Sequence, residues 1–193
     1  MPEPLSVLFV CTANICRSPA MELVARDLAG AADVVFRSCG THARDGEPMD
    51  AAMAATLPAG MADGFRSRRL TGSLLASADL VLTAQAVHRQ HILDDHPRLH
   101  RRLFTLGQFA ATLASDAAGD LADLSGRDLI AAAGQRRVHS VPEHDVADPY
   151  RRGKKASAQA TGTITTMLSD IVPRLVGTTW PEGRRAAREG EDA

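Results

Sequence analysis

Leu5-Ser6-Val7-Leu8-Phe9-Val10 runs without a break into Cys11-Thr12-Ala13-Asn14-Ile15-Cys16-Arg17-Ser18-Pro19. The six leading residues read as a buried β-strand over 5–10, since a short apolar run bounded by loop residues suits a strand covered on both faces. The residues after Arg17 read as a helix over 18–29, with Pro19 in its first turn and Gly30 near its end. A loop between such a strand and such a helix turns backbone N–H groups and a helix N-terminus toward one point, which makes a cradle for an oxyanion. Arg17 adds a planar two-pronged donor that fits two phosphate oxygens. The same dipole and positive charge favour a thiolate, so Cys11 stands at the floor of the cradle as a nucleophile.

Cys-x5-Arg alone is a weak signal. Its place between an apolar strand and a proline-started helix is the context the chemistry requires. The loop therefore describes a hydrolase of phosphate monoesters that works through a cysteinyl-phosphate. The bland alternative is a packed thiol and an unrelated surface arginine. It leaves the spacing of the two residues unexplained.

Working outward, strand and helix patterns alternate along the chain. Strands are predicted over 33–38, 79–83 and 102–105. Helices are predicted over 49–57, 72–77 (capped by Thr71), 85–95 (stopped by Pro97), 106–115, 125–136 and 157–176, the last kinked at Pro173. Such alternation predicts a three-layer α/β fold, a four-stranded parallel sheet with helices on both faces. Ligands in these sheets bind at the carboxyl ends of the strands, where Cys11 falls. Residues 1–176 are expected to form one domain with an insertion at about 116–145, read as a surface excursion or as a lid leading toward Asp148. Residues 177–193 are rich in Arg, Glu, Gly and Ala and are expected to be a disordered tail.

Further features of the chain carry a resemblance. Ser38-Cys39-Gly40-Thr41, Ala78-Asp79-Leu80-Val81-Leu82-Thr83 and Asp148-Pro149-Tyr150 join the cysteine loop in resembling the low-molecular-weight protein tyrosine phosphatase family. The resemblance spans residues 5 to about 110 and 145 to about 176. It implies that Cys11 is the nucleophile and that Arg17 binds phosphate and the transition state. It implies that Asp148 protonates the leaving oxygen and then activates water. Ser18 would steady the thiolate, and Asn14 would hold the loop in a left-handed turn, which Asn tolerates. The remaining loop positions, Thr12, Ala13, Ile15 and Cys16, would supply backbone to the phosphate. Cys11 and Cys16 would be able to form a reversible protective disulfide.

Three departures stand out against that family. Ala13 replaces a glycine, which would cost roughly 1–2 kcal/mol if the position needs positive φ. The loop His42-Ala43-Arg44-Asp45-Gly46-Glu47-Pro48 has no aromatic residue to pack on a substrate ring. Tyr150, His42 and Arg44 are then the candidates for the substrate mouth, with Phe65 a further possible wall. Residues 107–145 make a longer connection than the family's. The expected substrate is a phosphorylated protein, with a small-molecule phosphate ester as the alternative. An arsenate reductase with a cysteine relay is disfavoured, since residues 79–193 contain no cysteine. A non-catalytic phosphate-binding module is disfavoured because nucleophile, arginine and acid are all present.

Composition adds exclusions. The net charge of −1 gives no argument for nucleic-acid or membrane partners. No apolar run is long enough to span a bilayer, and Met1-Pro2-Glu3-Pro4 lacks the basic start of a signal peptide. Three cysteines fit a reducing compartment, so the expectation is a cytoplasmic enzyme. His88, His91, His96 and His100 are read as a solvated helix face, with no metal and no cofactor expected. Arg66, Arg68, Arg69, Arg101 and Arg102 read as two surface clusters able to steer a dianion.

Overall fold

Four parallel strands form the central sheet: β1 (Leu5–Cys11), β2 (Val34–Gly40), β3 (Leu80–Thr83) and β4 (Leu103–Thr105). Their order is β2-β1-β3-β4. The computed structural model describes residues 3–115 and 119–177. The expectation of a disordered tail over 177–193 therefore lies, apart from Gly177, outside the described residues. Helices α1 (Arg17–Ala29), α2 (Ala51–Ala54), α3 (Gly72–Ser77), α4 (Ala86–Asp95), α5 (Leu106–Ser115), α6 (Gly126–Gln135) and α7 (Gly153–Val176) connect and cover the strands.

Strand alternation sorts the core into two layers. Leu5, Val7, Phe9 and Cys11 face one cluster with α1, α5, α6 and α7, where Met21, Phe104, Phe109, Ile164 and Leu168 are buried. Leu8 and Val10 face a smaller cluster with Leu75 of α3, Ile92 of α4 and Leu99. Both faces of β1 are thus covered, which is why its sequence is apolar from Val7 to Val10.

β1 has β2 on one side and β3 on the other, so the chain reverses its direction of travel across the sheet beside β1. The crevice at the carboxyl ends of β1 and β3 is such a sheet's usual ligand site. Cys11 sits there, paired in register with Gly40.

Some boundaries differ from expectation. α2 is shorter than 49–57, because the Asp50 side chain accepts from Met53 N and fixes the start, while Thr56 Oγ1 bonds Met53 O at the end. α7 begins four residues earlier than 157, after Gly153 at φ 82° makes the turn from Arg152. Pro173 lies within α7, which continues to Val176. The helix expected over 125–136 is α6, with Leu129, Ile130 and Ala133 buried. It packs on the 3₁₀ turn Pro97–Arg102 and on α7.

Gly40 shows why the second strand ends as it does. A Cβ there would lie 2.5 Å from Thr12 O and 2.9 Å from Asn14 N. The backbone of the loop after β1 occupies the space a side chain would need. Gly40→Ala should destabilise the protein by about 1–3 kcal/mol. At roughly 2–4 °C per kcal/mol for a chain of this size, thermal unfolding should show the loss as a lowered Tm.

Candidate active site

The loop after β1 is held from inside by one side chain. Asn14 has φ 54°, the left-handed turn expected of it, and its amide is fully buried. Its Nδ2 donates to Ser18 Oγ at 2.9 Å and to Ser38 Oγ at 2.8 Å. Its Oδ1 accepts from the backbone N–H of Arg68 at 2.7 Å. Ser38 in turn donates to the buried carboxylate of Glu22 at 2.5 Å, which pairs with Arg26 at 2.6 Å. Ala13 is not among the residues with positive φ. The strained conformation falls on Asn14 instead, so the penalty weighed for alanine does not arise.

Ser18 Oγ stands 2.9 Å from Cys11 Sγ. An anionic sulfur can only accept, so the hydroxyl then donates to it. Cys11, Cys16 and Cys39 are all buried free thiols. Burial first, then the nearby Asp50, Cys11 and Asp148, push the Cys16 thiol up to about 12, so it stays protonated at neutral pH.

Arg17 opens α1 and is buried at the far end of the loop. Its Nη1 donates to Gln85 Oε1 at 2.5 Å and to Val146 O at 3.2 Å. Its Nη2 lies 3.4 Å from Asp148 Oδ1. Its Nε is buried with no hydrogen-bond partner among the described residues. One edge of the guanidinium is therefore anchored by neutral oxygens. The Nε side carries no such anchor.

Asp148 reaches the site because the preceding chain is fastened at the carboxyl end of β3. Val146 N bonds Ala84 O at 2.8 Å, next to the end of β3. Gly107 lets this segment approach, since a Cβ there would sit 2.5 Å from His144 O. The Asp148 side chain is 46% exposed, over the loop opening. Asp145 points elsewhere, accepting from Ala86 N at the start of α4.

Of the mouth candidates, Tyr150 is 43% exposed, with its backbone N–H on Asp148 Oδ1 at 3.3 Å and the Arg151 guanidinium over its ring. His42 and Arg44 are exposed on the loop after β2, and the His42 ring lies 5.4 Å from that of His91. Phe65 is buried in the core and cannot form a wall.

Of the four histidines expected on a solvated face, His91, His96 and His100 are exposed and His88 is not. It is 4% exposed, and its Nε2 lies 2.8 Å from Thr12 Oγ1 in the loop after β1. Spacing could not show this, because the contact joins residues 76 positions apart. Burial, followed by the neighbouring Arg17, pulls its pKa down from 6.5 to about 4. Among the described residues no group of three or more His, Cys, Asp or Glu could hold a metal ion. No helix among them is long and apolar enough to cross a membrane.

Similarity to known proteins defines the class that the fold by itself leaves open. A sequence model described as low molecular weight phosphotyrosine protein phosphatase matches residues 6–126, and the chain belongs to that family. The match runs past the point near 110 where the motif resemblance stops. A probable low molecular weight protein-tyrosine-phosphatase, EpsP of Ralstonia nicotianae, is 27% identical over 172 residues, covering 88% of this chain and 95% of that protein. The low molecular weight protein-tyrosine-phosphatase Etp of Escherichia coli is 33% identical over 173 residues, covering 88% and 94%. A protein-arginine-phosphatase of Bacillus subtilis is 33% identical over 128 residues, covering 65% and 83%. The solved YwlE arginine phosphatase of Geobacillus stearothermophilus has the same fold, with a TM-score of 0.67 at 20% identity over 98% of this chain and 99% of that one. The protein is thus a phosphatase, a hydrolytic enzyme.

His88 yields a prediction about acid stability. Between about 6.5 and about 4 the unfolded chain binds a proton at this residue and the folded chain does not. Stability should therefore fall as pH drops through that window, by on the order of 3 kcal/mol from this group. Urea unfolding at pH 7, 5 and 4 should show a smaller loss in His88→Gln than in the parent protein.

Proposed function

We propose that the enzyme hydrolyses phosphotyrosine-type esters through a phosphorylated Cys11. The observation that carries this reading is the unpartnered Arg17 Nε. Leaving a donor of a buried cation unpaired is costly, so the site is built for an oxyanion that the protein itself does not supply.

The steps follow from the positions of the groups. Phosphate oxygens sit among the N–H groups of Thr12 to Ser18 and the Nε side of Arg17. Cys11 Sγ attacks phosphorus in line, the bond to the ester oxygen breaks, and Asp148 delivers a proton to that oxygen. The second step returns the proton: Asp148 takes one from water, which attacks phosphorus and releases Cys11. Ser18 steadies the thiolate in both steps. Gln85 and the Val146 carbonyl keep Arg17 oriented without neutralising it.

Tyr150 is the exposed ring beside the acid, and it takes the place of the aromatic missing from residues 42–48 as a flat surface for an aryl ester. Related proteins named as tyrosine phosphatases support an aryl substrate. The aromatic-free 42–48 loop favours a second reading, a small non-aromatic phosphate ester handled by the same chemistry.

A leaving-group series tests both. Asp148→Asn should slow esters of poorly acidic alcohols and phenols by roughly 10²–10⁴-fold. Nitrophenyl phosphate should suffer much less in the first step. Asp145→Asn should lack this leaving-group dependence, because its carboxylate serves the start of α4. Equal loss across the series in Asp148→Asn would show that another group is the acid. In the same series, a higher kcat/KM for sugar phosphates than for a phosphotyrosyl peptide would select the second reading.

A further inference from the structure

We propose that His88 is a positioning residue that turns the Thr12 hydroxyl proton toward the substrate, so that Thr12 donates a hydrogen bond to an oxygen of the bound phosphate ester. The proposal rests on the reading of the Cys11–Arg17 loop as the phosphate site.

His88 Nε2 and Thr12 Oγ1 are 2.8 Å apart, so one of them donates to the other. The other ring nitrogen, Nδ1, is buried with no partner among the described residues. A buried N–H without an acceptor is rarer and costlier than a buried lone pair without a donor. The ring proton therefore belongs on Nε2, and Nε2–H donates to Thr12 Oγ1. Thr12 has a single hydroxyl proton and cannot return it to a nitrogen that is already protonated. Thr12 is exposed at the loop, immediately after the nucleophile. Its proton is left to point outward, where the ester binds.

The opposite tautomer would reverse the outcome. With the proton on Nδ1, the Thr12 hydroxyl would donate inward to Nε2 and present only lone pairs to an anionic substrate. The choice of one ring nitrogen thus decides whether Thr12 attracts or repels a phosphate oxygen.

The surroundings keep the ring neutral. His88 faces Arg17 of α1, Asp148 of the loop before α7, His42 of the loop after β2, and His91 on its own helix. Burial and Arg17 outweigh Asp148, so the arrangement holds from about pH 5 upward. A neutral ring adds no second cation behind Arg17 to bind product phosphate more tightly.

The test uses the full chain and three readouts: inorganic phosphate affinity by calorimetry, kcat and KM on an aryl phosphate, and the ring tautomer by nitrogen-15 NMR. In the unaltered protein at neutral pH the His88 proton should be on Nε2. Thr12→Val should lower phosphate affinity and kcat/KM about tenfold or more, the loss expected for a hydrogen bond to a charged group. Thr12→Ser should stay within roughly threefold, because the hydroxyl is kept. His88→Phe should reproduce the Thr12→Val loss, His88→Gln should recover part of it through its amide N–H, and the double variant should be no worse than either single one. If His88→Phe does not fold, Thr12→Val and the tautomer decide. A proton on Nδ1, or an unaltered phosphate affinity in Thr12→Val, would overturn the proposal. Failure of the parent protein to bind phosphate or cleave any ester would instead overturn the reading of the loop itself.

Discussion

The site depends on one buried amide. The loop from Cys11 to Arg17 turns through one left-handed residue in its middle. Asn14 takes that conformation, and its side chain fastens the loop to α1 through Ser18, to β2 through Ser38, and to the Arg68 backbone. Each donor and acceptor of the amide is used, so the group is satisfied although fully buried. The same amide orients Ser18 toward Cys11 Sγ. The shape of the loop and the hydrogen bond to Cys11 Sγ therefore come from one network.

Around that network the sheet supplies complementary sides. β2 brings Gly40 against the loop backbone, where only a glycine leaves room. From the end of β3 come Gln85 for Arg17 and Ala84 O for Val146. The chain before α7 then passes over the opening and delivers Asp148. Groups from 11–18, 38–40, 85–88 and 146–148 meet because β1 lies between β2 and β3 with all carboxyl ends together. Function is placed here by topology as much as by the loop.

Much of this is legible in the sequence, for physical reasons that also mark the limits. The cysteine loop is local: strand, turn, arginine and helix start are contiguous, so their geometry follows from residue order. β1 and β3 are legible because burial on both faces favours apolar residues, while the edge strand β2 carries an exposed Arg37 and is the less continuous run. The burial of His88 is not legible in the sequence, because it comes from docking on Thr12, a contact that helical periodicity does not encode. The roles of Arg68 N–H and Val146 O were invisible, since main-chain groups carry no residue signature. The left-handed turn at Asn14 is legible because few residues other than glycine tolerate it, and Ala13 beside it carries no such strain. Phe65 looked available as a wall, but its ring is needed in the core.

The most direct test of the account is the chemical fate of Cys11 during turnover. Rapid acid quench of the enzyme with a nitrophenyl phosphate, followed by peptide mass mapping, should find phosphate on the peptide that contains Cys11. The adduct should form before steady-state turnover and disappear as substrate is exhausted. Full turnover with no phosphate on that peptide, or with phosphate on another residue, would contradict the account.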